Sequence, residues 1–215
     1  MHEIIKENPV VAILRNVPDD RFLNYVEALM LGNLKCIEIA MNTSDAQKQI
    51  REVKRVFGKE VLVGAGTVIS TERAKRAREA GAEFFLSPSS DVEVMKYCRE
   101  EKISLLPGVF TPTDVSLCLS YGYDVLKLFP AGDAAYGYVK SLKGPLNEAD
   151  FVAVGGVSPE NMESFFERGF IGVGIGSNLV PKSMLEEGKW AEITDEVRRI
   201  TERRDIFNKE KGGRS

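Results

Sequence analysis

Histidine is almost missing from this chain of 215 residues: the only one is His2, beside a terminus expected to be mobile. Ser-His-Asp hydrolysis, Cys-His chemistry and histidine-ligated zinc all need an imidazole at the site, so those reaction classes are excluded. Acid/base work falls to carboxylate, lysine or tyrosine. Cysteine is scarce too. Cys36, Cys98 and Cys118 are odd in number, widely spaced and without a CxxC pair, which reads as buried free thiols rather than a zinc or redox site.

Long apolar runs are absent. No segment approaches the roughly 20 apolar residues that a membrane-spanning helix needs, and the start of the chain carries Glu3 rather than a long apolar stretch, so the protein is expected to be cytoplasmic. An excess of positive charge is lacking as well: 29 basic against 32 acidic residues give a net charge of −3. No global field draws in nucleic acid or an anionic membrane, and the expected partner is a small molecule.

What is present fits one globular domain, with 43% hydrophobic and 28% charged residues. Eight short runs rich in Val, Ile, Leu and Phe recur: Val10 to Leu14, Cys36 to Met41, Val61 to Gly64, Phe84 to Ser87, Ser104 to Leu106, Val125 to Phe129, Phe151 to Val154 and Gly172 to Gly176. Their starts lie about 20 to 26 residues apart, the repeat of a strand, a loop, a helix and another loop. Amphipathic stretches at Asp19 to Leu31, Ser44 to Phe57, Thr71 to Ala80 and Pro159 to Arg168 fill the gaps. Thr71 reads as a helix cap, and Gly32, Gly81 and Gly169 as helix stops. The pattern predicts an α/β fold, an eightfold β/α (TIM) barrel over residues 1–200, with a short helix from Met1 to Asn8 beneath it. Residues 201–215 form a polar C-terminal tail expected to fray from the last helix.

Two of the apolar runs contain a charge. Lys127 lies in Val125-Leu126-Lys127-Leu128-Phe129 and Glu38 in Cys36-Ile37-Glu38-Ile39-Ala40. Burying either alone is costly, so the two are expected to face a shared cavity, where desolvation lowers a lysine's pKa and makes its amine a nucleophile. The bland alternative is a structural ion pair filling the barrel. Against it stand Arg15 and Thr67 at neighbouring strand ends, a cationic fork and a hydroxyl suited to a carboxylate ligand. Taken singly, Arg15 is a snorkelling strand-end residue and Thr67 a helix cap. Gly155-Gly156 after the seventh run, and Gly176-Ser177 at the end of the eighth, offer backbone N–H groups to an anion, aided by the dipole of a helix beginning nearby. Barrel enzymes commonly bind phosphate there. Read alone, either glycine pair only turns a tight loop.

The ordered set Ala12-Ile13-Leu14-Arg15, Ile37-Glu38-Ile39, Gly64-Ala65-Gly66-Thr67-Val68, Leu86-Ser87-Pro88, Pro107-Gly108, Lys127-Leu128-Phe129-Pro130, Gly155-Gly156-Val157 and Gly176-Ser177 resembles the 2-keto-3-deoxy-6-phosphogluconate and 6-phosphogalactonate aldolase family. The likeness runs from about residue 8 to residue 200. It implies a class I aldolase that cleaves a phosphorylated keto sugar acid to pyruvate and D-glyceraldehyde 3-phosphate, uses no metal or other cofactor, and is usually a homotrimer. Carried onto these positions, it implies Lys127 as the Schiff-base lysine and Glu38 as the proton shuttle. Arg15 and Thr67 would contact the pyruvate carboxylate, Pro88 and Phe129 would line the pocket, and Gly155, Gly156, Gly176 and Ser177 would belong to the phosphate site.

Two positions depart from the gluconate branch, which often has arginine four residues after the glutamate and threonine before the glycine pair. This chain has Asn42 and Val154, as in the phosphogalactonate branch, and Val154 lacks a hydroxyl to meet the C4 oxygen. The galactonate epimer is therefore the expected substrate, with gluconate the alternative. Another phosphate-binding barrel enzyme, such as a sugar-phosphate epimerase using acid/base pairs and often a metal, is disfavoured by the lack of histidine near any strand end, and a non-catalytic sugar-phosphate sensor would have no reason to keep both Lys127 and Glu38.

Overall fold

The structure, a computed structural model, describes residues 1–212, with side chains through residue 204. Nine parallel strands occur among them: β1 (Val10–Leu14), β2 (Cys36–Ala40), β3 (Leu62–Gly66), β4 (Phe84–Leu86), β5 (Ser104–Leu106), β6 (Gly108–Val109), β7 (Val125–Leu128), β8 (Asp150–Val154) and β9 (Gly172–Ile175). All eight apolar runs fall on strands. The ninth arises because the fifth run continues past Pro107 as β6. Proline has no N–H to give a ladder, so β5 pairs with β4 on one side of it and β6 with β7 on the other. The sheet order β5-β4-β3-β2-β1-β9-β8-β7-β6 thus closes through one covalent strand, and the Pro107 carbonyl accepts from Lys127 N at 2.9 Å. This is the β/α barrel, with its fifth strand divided.

The helices are α1 (His2–Glu7), α2 (Asp19–Leu31), α3 (Ala46–Phe57), α4 (Thr71–Ala80), α5 (Val92–Glu100), α6 (Pro112–Ser120), α7 (Tyr138–Lys143), α8 (Met162–Glu167), α9 (Lys182–Glu187) and α10 (Trp190–Gly212). None is long and apolar enough to cross a membrane. Several expectations are corrected in detail. Ser70, not Thr71, caps α4, its hydroxyl accepting from Arg73 N at 3.2 Å. Gly32 ends α2 without a left-handed turn; Asn33 takes that conformation at φ 64°, while a methyl on Gly32 would lie 2.6 Å from Val197 of α10. Helix α8 is shorter than the Pro159 to Arg168 stretch. The last helix does not stop at residue 200: Thr201 is buried, its hydroxyl donating to Gly32 O at 2.9 Å, and the helix runs to Gly212. The end of the expected tail, residues 213–215, lies outside the described residues.

Strand alternation sorts side chains into two cores. Ile37, Ile39, Leu126 and Leu128 join the cluster under the helices, whereas Cys36, Phe84, Leu106, Val125 and Val152 cluster inside the barrel with Ile5 of α1, which plugs its lower end. His2 belongs to that ordered lower helix and lies 3.3 Å from Asp124, just before β7 and so at the end away from the strand C-termini. The three cysteines are buried and unpaired, and burial pushes the Cys98 and Cys118 thiols up to about 12.

Interior glycines make room for large neighbours. A methyl on Gly64 would meet the Phe84 ring at 2.4 to 2.7 Å. Overpacking of this kind costs about 1–3 kcal/mol, so Gly64→Ala is expected to lower the urea midpoint by that equivalent with an unchanged denaturant slope. An unchanged midpoint would show that Phe84 moves aside freely.

Candidate active site

Cys36 and Val125 point into the barrel, so Glu38 and Lys127, two residues further along β2 and β7, point inward as well. Both are buried, at 1% and 5% exposure. The Glu38 carboxyl lies directly over Gly66, where an added methyl would fall 1.4 Å from Oε1. Its Oε2 is buried without a hydrogen-bond partner. No ion pair joins it to Lys127, so the two sense each other's charge across a gap instead of forming the structural salt bridge that would simply fill the barrel.

Burial dominates both titrations. At Lys127, desolvation lowers the pKa and outweighs the opposing pull of the Glu38 charge, while Arg15 pushes it down further. At Glu38, desolvation raises the pKa against the attraction of Lys127 and Arg15. The amine is thereby biased toward its nucleophilic neutral form and the carboxyl toward holding a proton. The Lys127 nitrogen lies over the Phe129 ring, 5.0 Å from its centroid, and that ring is itself partly exposed.

Arg15, Phe129, Val154, Gly155, Gly156, Gly176 and Ser177 come together in the wall of one cavity of about 480 Å³ at the C-terminal ends of β1, β7, β8 and β9. Gly155 and Gly156 hold φ of 88° and 75°, a left-handed pair that side chains resist, and Gly132 packs so closely that a methyl on Gly156 would lie 2.9 Å from its Cα. Gly176 is different: nothing lies nearer than 3.8 Å to an added methyl. Helix α8 starts only at Met162 and has six residues, so it brings little of the expected dipole to Gly156.

Thr67 and Pro88 stand at the ends of β3 and β4, half-buried and outside that wall. Thr67 holds φ of 56°, an outlier for a β-branched residue that costs on the order of 1–3 kcal/mol, and Arg73 Nη1 donates to its carbonyl at 3.1 Å. The Pro88 carbonyl packs against Gly108. Asn42 is exposed on the turn after β2 and is not brought to the cavity.

Sequence reading missed Asn16, Tyr25, Asn178 and Lys182, which also line the cavity. It missed Asn161 too, whose side chain accepts from Ser158 N at 2.8 Å and donates to Gly156 O at 2.9 Å, bracing the glycine loop. The Ser158-Pro159-Glu160-Asn161 turn was a readable signal for that brace.

Glu38 and Lys127, expected to face a shared cavity, are not in the wall of this one, although Phe129, which is, has its ring centre 5.0 Å from the Lys127 amine. A β/α barrel with a buried, neutral-leaning amine and a buried carboxyl so placed is built as a lyase that works through an imine. The family model for KDPG and KHG aldolase matches residues 1–196. The KHG/KDPG aldolase of Escherichia coli (strain K12) is 32% identical over 203 residues, covering 93% of each chain. The 2-dehydro-3-deoxy-6-phosphogalactonate aldolase of the same strain is 31% identical over 172 residues, 80% of this chain and 84% of the relative. The solved KDPG aldolase of Legionella pneumophila, with pyruvate captured at low pH as a covalent carbinolamine intermediate, matches with a TM-score of 0.84 at 27% identity, covering 92% of this chain and 96% of that one. The chain belongs to the KDPG and KHG aldolase family.

A lysine adds to a ketone only when neutral, so the rate of reductive trapping with pyruvate and cyanoborohydride is expected to rise with pH and level off below the ordinary lysine value of 10.5. Glu38→Gln removes a charge that holds the Lys127 pKa up, so its midpoint is expected to move lower still. A midpoint at 10.5, or one that rises in Glu38→Gln, would contradict this electrostatic account.

Proposed function

We propose that this aldolase cleaves a 2-keto-3-deoxy-6-phospho sugar acid reversibly to pyruvate and D-glyceraldehyde 3-phosphate through an imine on Lys127. The observation that carries the assignment is the buried Lys127 amine facing, without contact, a buried and unpartnered carboxyl. Its lone pair attacks the C2 ketone, and Glu38 moves the protons that convert the carbinolamine to an iminium with loss of water. Deprotonation of the C4 hydroxyl forms the aldehyde, and the C3–C4 pair flows to the iminium. The product enamine takes a proton at C3 with help from Glu38, and water then releases pyruvate. A carboxyl whose pKa is raised by burial holds its proton more readily than an exposed one, which suits a group that must both give and accept protons.

Arg15, at the end of β1 beside this pair, suits the pyruvate carboxylate, with Thr67 as a second contact from β3 and Pro88 and Phe129 as apolar walls. The left-handed Gly155-Gly156 loop and the open Gly176-Ser177 end of β9 suit the phosphate, since bare backbone there lets an anion approach N–H groups closely. Gly176 needs no glycine for its own packing, which supports approach from the cavity side. The working form is a cytoplasmic homotrimer, a reading supported by the family relation.

Substrate epimer follows from Val154, buried in the cavity wall next to Gly155. Without a hydroxyl there, the galactonate epimer is preferred over the gluconate epimer. The exposed position of Asn42 leaves Val154 as the main support for this choice.

Intact mass after pyruvate and sodium borohydride, followed by peptide mapping, is expected to place one reduced adduct on the Lys127 peptide, with none in Lys127→Ala; an adduct elsewhere would remove Lys127 from the scheme. In kcat/KM the galactonate epimer is expected to lead, and Val154→Thr to shift the ratio about fivefold toward gluconate, the worth of one hydrogen bond. A wild-type preference for gluconate would reverse the assignment.

A further inference from the structure

The wall of the 480 Å³ cavity contains two cationic side chains, Arg15 and Lys182, and no Asp or Glu. Such a wall fits a ligand with two separated anionic groups. The two cations occupy different parts of the site. The charge of Arg15 acts on both Glu38 and Lys127 from the end of β1. Lys182 opens α9, beyond Ser177 on the segment that leaves β9, and also lines an adjoining cleft of about 440 Å³. It therefore stands where the cavity meets solvent.

In the structure the Lys182 ammonium is paired with Glu186, one turn along α9, at 2.8 Å, and the lysine side chain is 84% exposed. Exposed pairs of this spacing are weak, so the ammonium is readily given up to a better anion. The helix beneath it is held: Arg21 of α2 donates to the carbonyls of Leu185, at 2.8 Å, and of Glu186. A fixed helix with a long, loosely held lysine lets the charge swing while the backbone stays in place.

We infer that Lys182 is a specificity-determining residue that leaves Glu186 to bind the terminal phosphate of the substrate, and that Glu186 competes with this phosphate for it. The inference rests on the reading of the Gly155, Gly156, Gly176 and Ser177 region as the phosphate site. There the backbone recognises an anion by N–H geometry, and Lys182 adds a positive point charge that answers the negative charge a phosphate carries and a hydroxyl lacks.

The test runs the reaction in the condensation direction with pyruvate, comparing kcat/KM for D-glyceraldehyde 3-phosphate with that for D-glyceraldehyde. Lys182→Gln is expected to lower this ratio about tenfold, chiefly through KM of the phosphorylated aldehyde, the loss typical of one charge-assisted hydrogen bond. Lys182→Arg is expected to recover most of it. Glu186→Gln is expected to raise the ratio about two- to threefold by freeing the lysine. A purely structural ion pair would make Lys182→Gln and Glu186→Gln change the ratio in the same direction, and that result would overturn the inference. A wild-type ratio retained in Lys182→Gln would overturn it while leaving the backbone phosphate site standing. A ratio near one in the unmutated enzyme would overturn the phosphate reading itself.

Discussion

Desolvation of two charges is the constraint on which this site is built. Every second residue of β2 and β7 turns inward, and the rule that delivers Cys36 and Val125 to the barrel core also delivers a carboxyl and an amine to a place where neither can be hydrated. The usual remedy is direct pairing, which would neutralise the two charges and freeze both groups. The barrel instead keeps them apart, and burial shifts each toward its uncharged form. The free energy given up in burying them unpaired is the same quantity that makes the amine nucleophilic, so stability and reactivity are two readings of one desolvation.

From that dry interior the site grades outward. Phe129 sets a ring face under the amine, Arg15 brings the first cation, and the wall then passes to backbone at Gly155, Gly156 and Gly176. Rigid barrel strands hold the groups that exchange protons; loops braced by single side chains, such as Asn161 on Gly156, hold the groups that receive the rest of the ligand. The division of the fifth strand at Pro107 serves the same plan. Freed from a strict ladder, the backbone at Pro107 and Gly108 reaches both β4's Pro88 loop and the N–H of Lys127 itself.

How far the chain could be read depended on whether a residue's meaning was local. Lys127 and Glu38 stood out because a charge inside an apolar strand conflicts with its neighbours. The strands were legible for the same reason, their alternation and spacing being properties of a few adjacent residues. Pro107 was visible but not its effect, since losing one N–H divides a strand only in the context of two partners. The Gly32 and Asn33 exchange, and the seating of Thr201 on Gly32, depend on α10 arriving from far along the sequence. Lys182 and Asn178 resemble any exposed polar residue until the segment leaving β9 brings them into the same cavity wall as Arg15 and Gly156. Asn42 shows the converse: a position readable by its offset from Glu38 proved to be exposed, away from the cavity.

The carboxyl of Glu38 resting on the bare Cα of Gly66 has a consequence for how this enzyme can change over time. Two strands supply one volume: the acid takes the space that a side chain on β3 would need. A larger residue at position 66 therefore displaces the Glu38 carboxyl from its present place, and that conflict disappears once position 38 carries a small side chain. Loss of the acid leaves a void that a methyl at 66 can fill, so the effects of the two changes are coupled and not additive. A descendant that lost the glutamate could regain packing by enlarging the glycine, and the glutamate could then no longer return in a single step. The route out of catalysis on this fold is easier to travel than the route back.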